Sequence, residues 1–568
     1  MADSDKSTKI IEQVHVDSEQ DEVTSTAAEK KHYVYHAEER KRRLDGGVQY
    51  RDIMMILCAG FALISDGYQN NVMSMLNKVF AMEYPKEYTG DMSSQVSNAS
   101  LVGTILGQFV IGICADLISR KWAILIATCF LVFGSALCAA SHGKTVNGMF
   151  WMMTIFRGVT GFGIGAEYPS SSVAASEAAN ESVKRRGAAF ILVTNVPLSF
   201  GGPFASCIFL IVNKITKTHL EGLWRTMFAI GCFWPLSVFY FRMKMVTSEL
   251  FKRSAMRKQP PYWHALKFYW KRLFGTCISW FLYDFVTFPN GIFSATIISN
   301  VISDTRDLEK IAEWNLLLGA IALPGCFVGA YLVDIIGKKY TMLIGFICYI
   351  VFGLIVGCAY FQVKKITALF IVLFGLMQSF GNAGMGNVLG LVSSESFATP
   401  VRGTFYGISA LVGKIGAVCG TKAFQRVLLI GSNKDSGQRW VFIIAACCGV
   451  VGVIVTAIFI PHLKVDDLLE EDIRFKNYLL SQGYKGQMGL EPSDEEKDMD
   501  TDETDGINET DEVNEANAEK SKEGIITPYT ERTKHHHNLG PENDEIKEKK
   551  GLSRFGVGII DWFGKVYK

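Results

Sequence analysis

Asp284 lies in the middle of an apolar stretch, FGTCISWFLYDFVTFPNGIFSATII, that runs from Phe274 to Ile298 with Trp280 and Phe288 four residues to either side. Residues four apart stack on one face of a helix, so an acid and two aromatic rings face the same way. A carboxylate at bilayer depth costs at least ~2.5 kcal/mol, and it persists where it lines a polar path or carries a proton. Lys414, in Ala410-Leu-Val-Gly-Lys-Ile-Gly-Ala417, is the basic residue well inside a second apolar run. Desolvation drives a lone lysine neutral, whereas a carboxylate or bound anion keeps it charged. Asp284 and Lys414 therefore read as a pair for which an anionic substrate competes. Asp66, Arg157 and Glu167 interrupt earlier apolar runs. Arg157 stays protonated in any surroundings, so carboxylates are its expected partners, and the three read as a proton-handling cluster.

Charges in such places need apolar helices to hold them. Of 568 residues, 49% are hydrophobic and 20% charged, below the ~25% usual for soluble domains, which argues against a soluble enzyme. Runs near 20 residues, the length that spans ~30 Å of hydrocarbon, begin near Asp52, Val96, Trp122, Phe150, Gly187 and Gly222. Six more begin near Phe274, Ala312, Tyr340, Thr367, Gly403 and Arg439. The expected fold is an all-α membrane protein of twelve transmembrane helices in two six-helix bundles.

Charge sets the orientation. Between the two sets of runs, Arg242 to Arg272 carries nine Lys and Arg against a lone Glu249, and such loops face the cytoplasm. Twelve spans then leave both termini cytoplasmic. The expected organisation is a disordered tail (1–50), an N-terminal bundle (51–241), a basic central loop (242–272), a C-terminal bundle (273–463) and a cytoplasmic tail (464–568). That last tail is acidic from Glu491 to Glu519 and reads as disordered, with an amphipathic end from Leu552 to Val566. The N-terminal 50 residues lack an apolar signal segment, so the first span is expected to direct insertion. The 13 cysteines form no CxxC pair and read as small buried residues; no metal site or nucleophile constellation is seen, which weighs against an enzyme, and a net charge of +1 gives no footprint for nucleic acid.

An internal repeat supports the count of spans. Gly112-Ile-Cys-Ala-Asp116-Leu-Ile-Ser-Arg120-Lys121 follows the second run, and Gly329-Ala-Tyr-Leu-Val-Asp334-Ile-Ile-Gly337-Lys338-Lys339 follows the eighth. The glycine lets helices approach, the aspartate can hold a neighbouring helix end, and the basic residues anchor a short turn. With this motif the chain resembles the major facilitator superfamily over roughly residues 50 to 463. Arg157-Gly-Val-Thr-Gly-Phe-Gly-Ile-Gly-Ala-Glu167-Tyr168-Pro169 and Trp280-Phe-Leu-Tyr-Asp284 resemble its proton-coupled phosphate symporter branch. Gly60-Phe-Ala-Leu-Ile-Ser-Asp66-Gly-Tyr68 and Tyr283-Asp-Phe-Val-Thr-Phe-Pro-Asn-Gly291 resemble the fungal glycerophosphodiester permeases, importers of glycerophosphoinositol and, in some members, glycerophosphocholine.

The resemblance implies roles for residues. Asp284, Trp280 and Lys414 would contact the substrate phosphate, with Asp284 also binding a proton; Tyr168 and, on a looser alignment, Asn195 would complete the phosphate site. Phe288 stands where the phosphate branch has a tyrosine, which suits a diester with fewer free oxygens. Asp66, Arg157, Glu167 and Asp284 would couple protons, and Gly112, Asp116, Arg120, Gly329, Asp334 and Lys338 would gate, with Glu177, Glu395 and Arg402 joining their charge network. The implied protein is a plasma-membrane symporter of glycerophosphodiesters with no cofactor beyond co-transported protons. Its partners would be substrate, protons and membrane lipid. An inorganic phosphate symporter and a non-transporting nutrient sensor of the same fold remain the alternatives.

Overall fold

The computed structural model describes residues 50–117, 120–173, 176, 186–216, 219–243, 260–302, 307–428, 434–463 and 468–484. Among them no strand occurs and the chain forms twelve long helical rods followed by one shorter helix. The first six are α1 (Tyr50–Glu83), α2 (Gly90–Leu117), α3 (Arg120–Ala139), α4 (Val146–Glu167), α5 (Arg186–Thr216) and α6 (Leu220–Met243). The second six are α7 (Tyr262–Ile292), α8 (Leu308–Ala322, resuming as Pro324–Ile336), α9 (Lys338–Cys358), α10 (Thr367–Gly381, resuming as Asn387–Glu395), α11 (Arg402–Val427) and α12 (Lys434–Phe459). The last helix is α13 (Leu468–Ser481).

Seven of the twelve rods are apolar and long enough to cross a membrane by length and composition alone. Of the other five, α1, α4, α7 and α11 are the rods that carry Asp66, Arg157 with Glu167, Asp284 and Lys414. The outer surface is fatty: Trp122, Phe133, Ile155, Ile215 and Ile458 are each more than half exposed, as lipid-facing side chains are. Each group of six forms a bundle, and the bundles meet where α2 crosses α11 and where α5 lies along α8.

Two rods depart from α geometry midway. Tyr168–Ser172 continues α4 as a π-helical turn, and Asn382–Gly386 joins the halves of α10 in the same way. The two turns occupy corresponding rods of the two bundles, and both contribute residues to the central cavity. π turns gather at functional sites because the extra residue re-aims the side chains around it.

Helix starts differ from the apolar runs. α7 begins at Tyr262, so residues 262–272 of the expected central loop are helical, and its 31 residues reach about 46 Å, well beyond ~30 Å of hydrocarbon. Lys267 and Lys271 lie over the rings of Trp263 and Trp270 at 5.6 and 5.7 Å, an arrangement that carries the helix past the apolar zone. The expected tail from 464 likewise opens with structure. α13 buries Leu468, Glu471, Asp472, Phe475 and Leu479 along one side, with Phe475 against Tyr269 and Phe268 of α7. The acidic stretch, His535 to His537 and the segment from Leu552 to Val566 lie outside the described residues.

Candidate functional site

A cavity of about 240 Å3 lies between the bundles, lined by α1, the π turn after α4, α5, α7, α8, α10 and α11. Among the described residues its charged lining consists of Asp284 and Lys414, both about 2% exposed. Lys414 Nζ donates to Asp284 Oδ2 at 2.6 Å. The ammonium also sits 4.1 Å from the Phe288 ring centre and 5.4 Å from that of Tyr168, so two ring faces and one carboxylate surround it. Trp280 stands edge-on to Tyr406 at 5.7 Å. This crowding depends on Gly413, where a Cβ would come within 2.5 Å of Trp280 Cδ1 and 3.1 Å of Asp284 Oδ2. Close contact of α11 with α7 continues at Gly416 and Gly420, over the carbonyls of Phe281 and Phe285.

Asn195 also lines the cavity and donates from Nδ2 to the carbonyl of Asn387 at 3.0 Å, tying α5 to α10. The six residues expected to touch substrate, Tyr168, Asn195, Trp280, Asp284, Phe288 and Lys414, thus share one chamber. Asp66 and Glu167 are buried outside its lining, yet both, with Asp284, lie within electrostatic reach of the Tyr168 hydroxyl. Arg157 stands apart from Glu167. Ten residues, or about 15 Å of helix, separate it from Glu167, and it donates to the main-chain carbonyl of Gln69 at 3.3 Å beneath the Phe228 ring. Arg157 is thus separated from Glu167 of the expected cluster, and it bonds a main-chain carbonyl three residues from Asp66 on α1.

The repeated motif holds the end of the molecule that carries the basic loops. Asp116 of α2 accepts from the main-chain N–H of Gly403 at 2.9 Å and of Thr404 at 2.6 Å, capping α11 of the opposite bundle. Gly112 permits that approach, since a Cβ there would lie 3.0 Å from the Gly403 carbonyl. In the second copy Gly329 packs on Ala383, the Asp334 carboxylate lies beside Gly187 at the start of α5, and Lys338 pairs with Glu395. Arg402 lies 3.8 Å from Asp472 of α13, and Arg272 pairs with Glu471 at 2.9 Å. The Arg120 side chain and Glu177 lie outside the described residues. At the opposite end Ser74 bonds Ser294 at 2.7 Å and Lys78 donates to Ser299 at 3.2 Å. The bundles touch at both ends, with the cavity between.

Tyr283, on the aromatic stretch of α7, lines the cavity as well, as do Asn71, Asn315, Gln378, Asn382 and Tyr406, which sequence reasoning does not single out. The signal available for the four amides is that each interrupts an otherwise apolar span.

A family model described as sugar (and other) transporter matches residues 53–475. Glycerophosphoinositol permease 1 of Candida albicans is 69% identical over 501 residues, covering 88% of this chain and 95% of that protein. Glycerophosphoinositol transporter 1 of Saccharomyces cerevisiae is 58% identical over 468 residues, covering 81% and 89%. Among solved structures, the major facilitator superfamily proton:xylose symporter XylE bound to 6-bromo-6-deoxy-D-glucose superposes with a TM-score of 0.63 at 18% identity, over 75% of this chain and 99% of that one. That last likeness speaks for the fold.

Proposed function

The chain belongs to the sugar (and other) transporter family, and from that premise we propose that it is a plasma-membrane proton symporter importing glycerophosphodiesters by alternating access, with both termini cytoplasmic. The observation that carries this reading is the buried Asp284–Lys414 pair inside a chamber shared by the two bundles. The names of its relatives supply the substrate class.

Before substrate enters, Lys414 is held by Asp284. A phosphodiester anion entering the chamber takes Lys414, and the Tyr168 O–H and Trp280 Nε1–H donate to its free oxygens. Asp284, stripped of its counter-charge in a dry cavity, then takes up a proton. Phe288 leaves the esterified side of the phosphate without a hydroxyl that would need a partner. Substrate and proton together neutralise the site, which lets the bundles rock about it and open the basic end. There Asp284 releases its proton and reclaims Lys414, and the substrate leaves. A phosphodiester carries one negative charge, so import against an inside-negative potential costs ~2.3 kcal/mol per 100 mV; one proton removes that cost and a second, held by Asp66 or Glu167, adds drive.

The test is uptake of labelled glycerophosphodiester by a transport-deficient host expressing the chain. Intact diester should accumulate, faster as external pH falls, and accumulation should collapse with a protonophore. Asp284→Asn should reach the membrane yet lose concentrative uptake. Appearance of hydrolysis products alone, or normal pH-dependent accumulation by Asp284→Asn, would overturn the reading.

A further inference from the structure

A second cavity, of about 890 Å3, lies away from the substrate chamber, between α2 and α4 of the first bundle and α11 of the second. Asp116 of α2 meets Gly403 at one end of α11 and Gly90 meets Gln425 at the other, so the two helices run antiparallel along the seam between bundles. They touch beyond both ends of the cavity: a Cβ at Gly90 would lie 3.0 Å from Gln425 Oε1, and one at Gly407 2.5 Å from the Gln108 carbonyl. Between these points the lining on α2 runs from Asp91 to Leu106, about 22 Å of helix. One leaflet of a bilayer, headgroups included, is about 20–22 Å deep.

The groove changes character along that depth. At the end away from the basic loops stand Lys422 and Arg426, one turn apart on the same face of α11, with Asp91 on the first turn of α2. Both cations are exposed, and neither pairs with an acid among the described residues. Deeper in, Val102, Leu106 and Ile155 are 47% to 60% exposed, and the Phe130 ring lies 4.8 Å from that of Phe162. Between the two zones sits Asn98, 5% exposed, whose Nδ2 donates to Ser94 Oγ at 3.3 Å while its Oδ1 has no partner among the described residues. Turned over, the amide would accept from the Ser94 hydroxyl and aim both N–H groups into the groove, so in either orientation a buried polar function is spare.

This order of groups matches one kind of occupant. Cations at headgroup depth suit a phosphate, an amide just below suits the ester carbonyls of a glycerol backbone, and exposed apolar side chains below that suit an acyl chain. Two cations against one acid leave the groove with one positive charge, which a headgroup of one net negative charge balances. We propose that the groove binds one anionic phospholipid from the leaflet facing away from the basic loops. Its phosphate lies on Lys422 and Arg426, an ester carbonyl accepts from Asn98, and an acyl chain covers Val102, Leu106 and Ile155. Both bundles line the groove, so the seated lipid bridges the seam across which they move. The proposal requires that the helices span a bilayer and is independent of which substrate the central chamber takes.

The test is native mass spectrometry of the full-length protein in detergent, titrated with dioleoyl phosphatidylglycerol or dioleoyl phosphatidylcholine, which gives a dissociation constant for the first lipid bound. Wild type should hold phosphatidylglycerol about thirtyfold more tightly, since each of two basic residues favours an anionic lipid by about fivefold. Lys422→Gln with Arg426→Gln should bring the two lipids level. Leu106→Trp, which narrows the apolar part, should weaken both lipids alike and leave their ratio unchanged. All three substitutions fall on exposed positions, so the variants keep the packing of the bundles. Equal affinities in wild type, or a preference for phosphatidylglycerol that survives the double variant, would overturn the site. Displacement of phosphatidylglycerol by inorganic phosphate, with Leu106→Trp binding as wild type does, would overturn it too, because the cations would then be reading free phosphate and the groove no lipid.

Discussion

Replacing Asp116 by asparagine tests how the two bundles are held together at the basic end. The carboxylate accepts two main-chain N–H groups of α11, at 2.9 and 2.6 Å, and is 2% exposed. The amide of Asp116→Asn would keep the shape but offer one acceptor oxygen and turn its own N–H2 toward the second donor. One charge-assisted bond, worth ~1.5–3 kcal/mol, is lost outright, and the attraction of a charge for the helix N-terminus, ~0.3–1 kcal/mol, goes with it. Because the bond crosses between bundles, a net loss of about 2–3 kcal/mol falls on the closed arrangement alone and shifts the closed-to-open ratio by roughly 30- to 150-fold. Hydrogen exchange over residues 399–410 of the full-length protein in nanodiscs reads this directly. Exchange at Gly403 and Thr404 should accelerate by at least tenfold, while α2 and α11 midway along their lengths stay protected. Unchanged protection at those two amides in a folded variant would refute the argument that Asp116 closes this end.

Three further outcomes follow from the geometry. Lys414→Ala removes a contact to the phosphate worth ~1.5–3 kcal/mol and should weaken diester binding at least tenfold by equilibrium titration, with Lys414→Arg rescuing poorly because a planar fork cannot replace a point charge between two rings. Phe288→Tyr places a hydroxyl beside the phosphate at a cost of ~1–3 kcal/mol where no partner meets it; diester uptake should fall, and inhibition of that uptake by inorganic phosphate should rise. Asp472→Ala strips acceptors from Thr399 N–H and Oγ1, now held at 2.6 and 2.7 Å, and should lower the thermal midpoint by several degrees as α13 loosens from α7 and α11.

Much of the site is legible because membrane burial makes charge conspicuous. Asp284 and Lys414 stand out from apolar runs, and their pairing follows from the cost of leaving either alone. The twofold motif is equally readable, since its glycine and aspartate recur at one spacing after the second and eighth runs. Hydropathy sees only the hydrocarbon layer, so it places the start of α7 at Phe274, twelve residues past Tyr262, where lysines on tryptophan rings hide a continuing helix. Arg157 escapes sequence reasoning for a related cause. A sequence shows which charges are buried but not which main-chain carbonyl a neighbouring helix presents, and Gln69 lies 88 residues away. α13 is hidden because Glu471 and Asp472, which look like the start of an acidic tail, are in fact buried against Arg272 and Thr399.

The π turns at Tyr168–Ser172 and Asn382–Gly386 bear on how such a site can diverge. Deleting one residue from an ordinary helix rotates everything beyond it by about 100° and scrambles both its packed faces. A π turn already holds a surplus residue, so losing one there returns the rod to regular winding, and the change in facing is confined to the side chains around the cavity. Single-residue deletions at these two places, out of all those possible in the twelve rods, are where new substrate preferences can arise in one step without unmaking the bundles. Libraries built to redirect this transporter should place their length variation there.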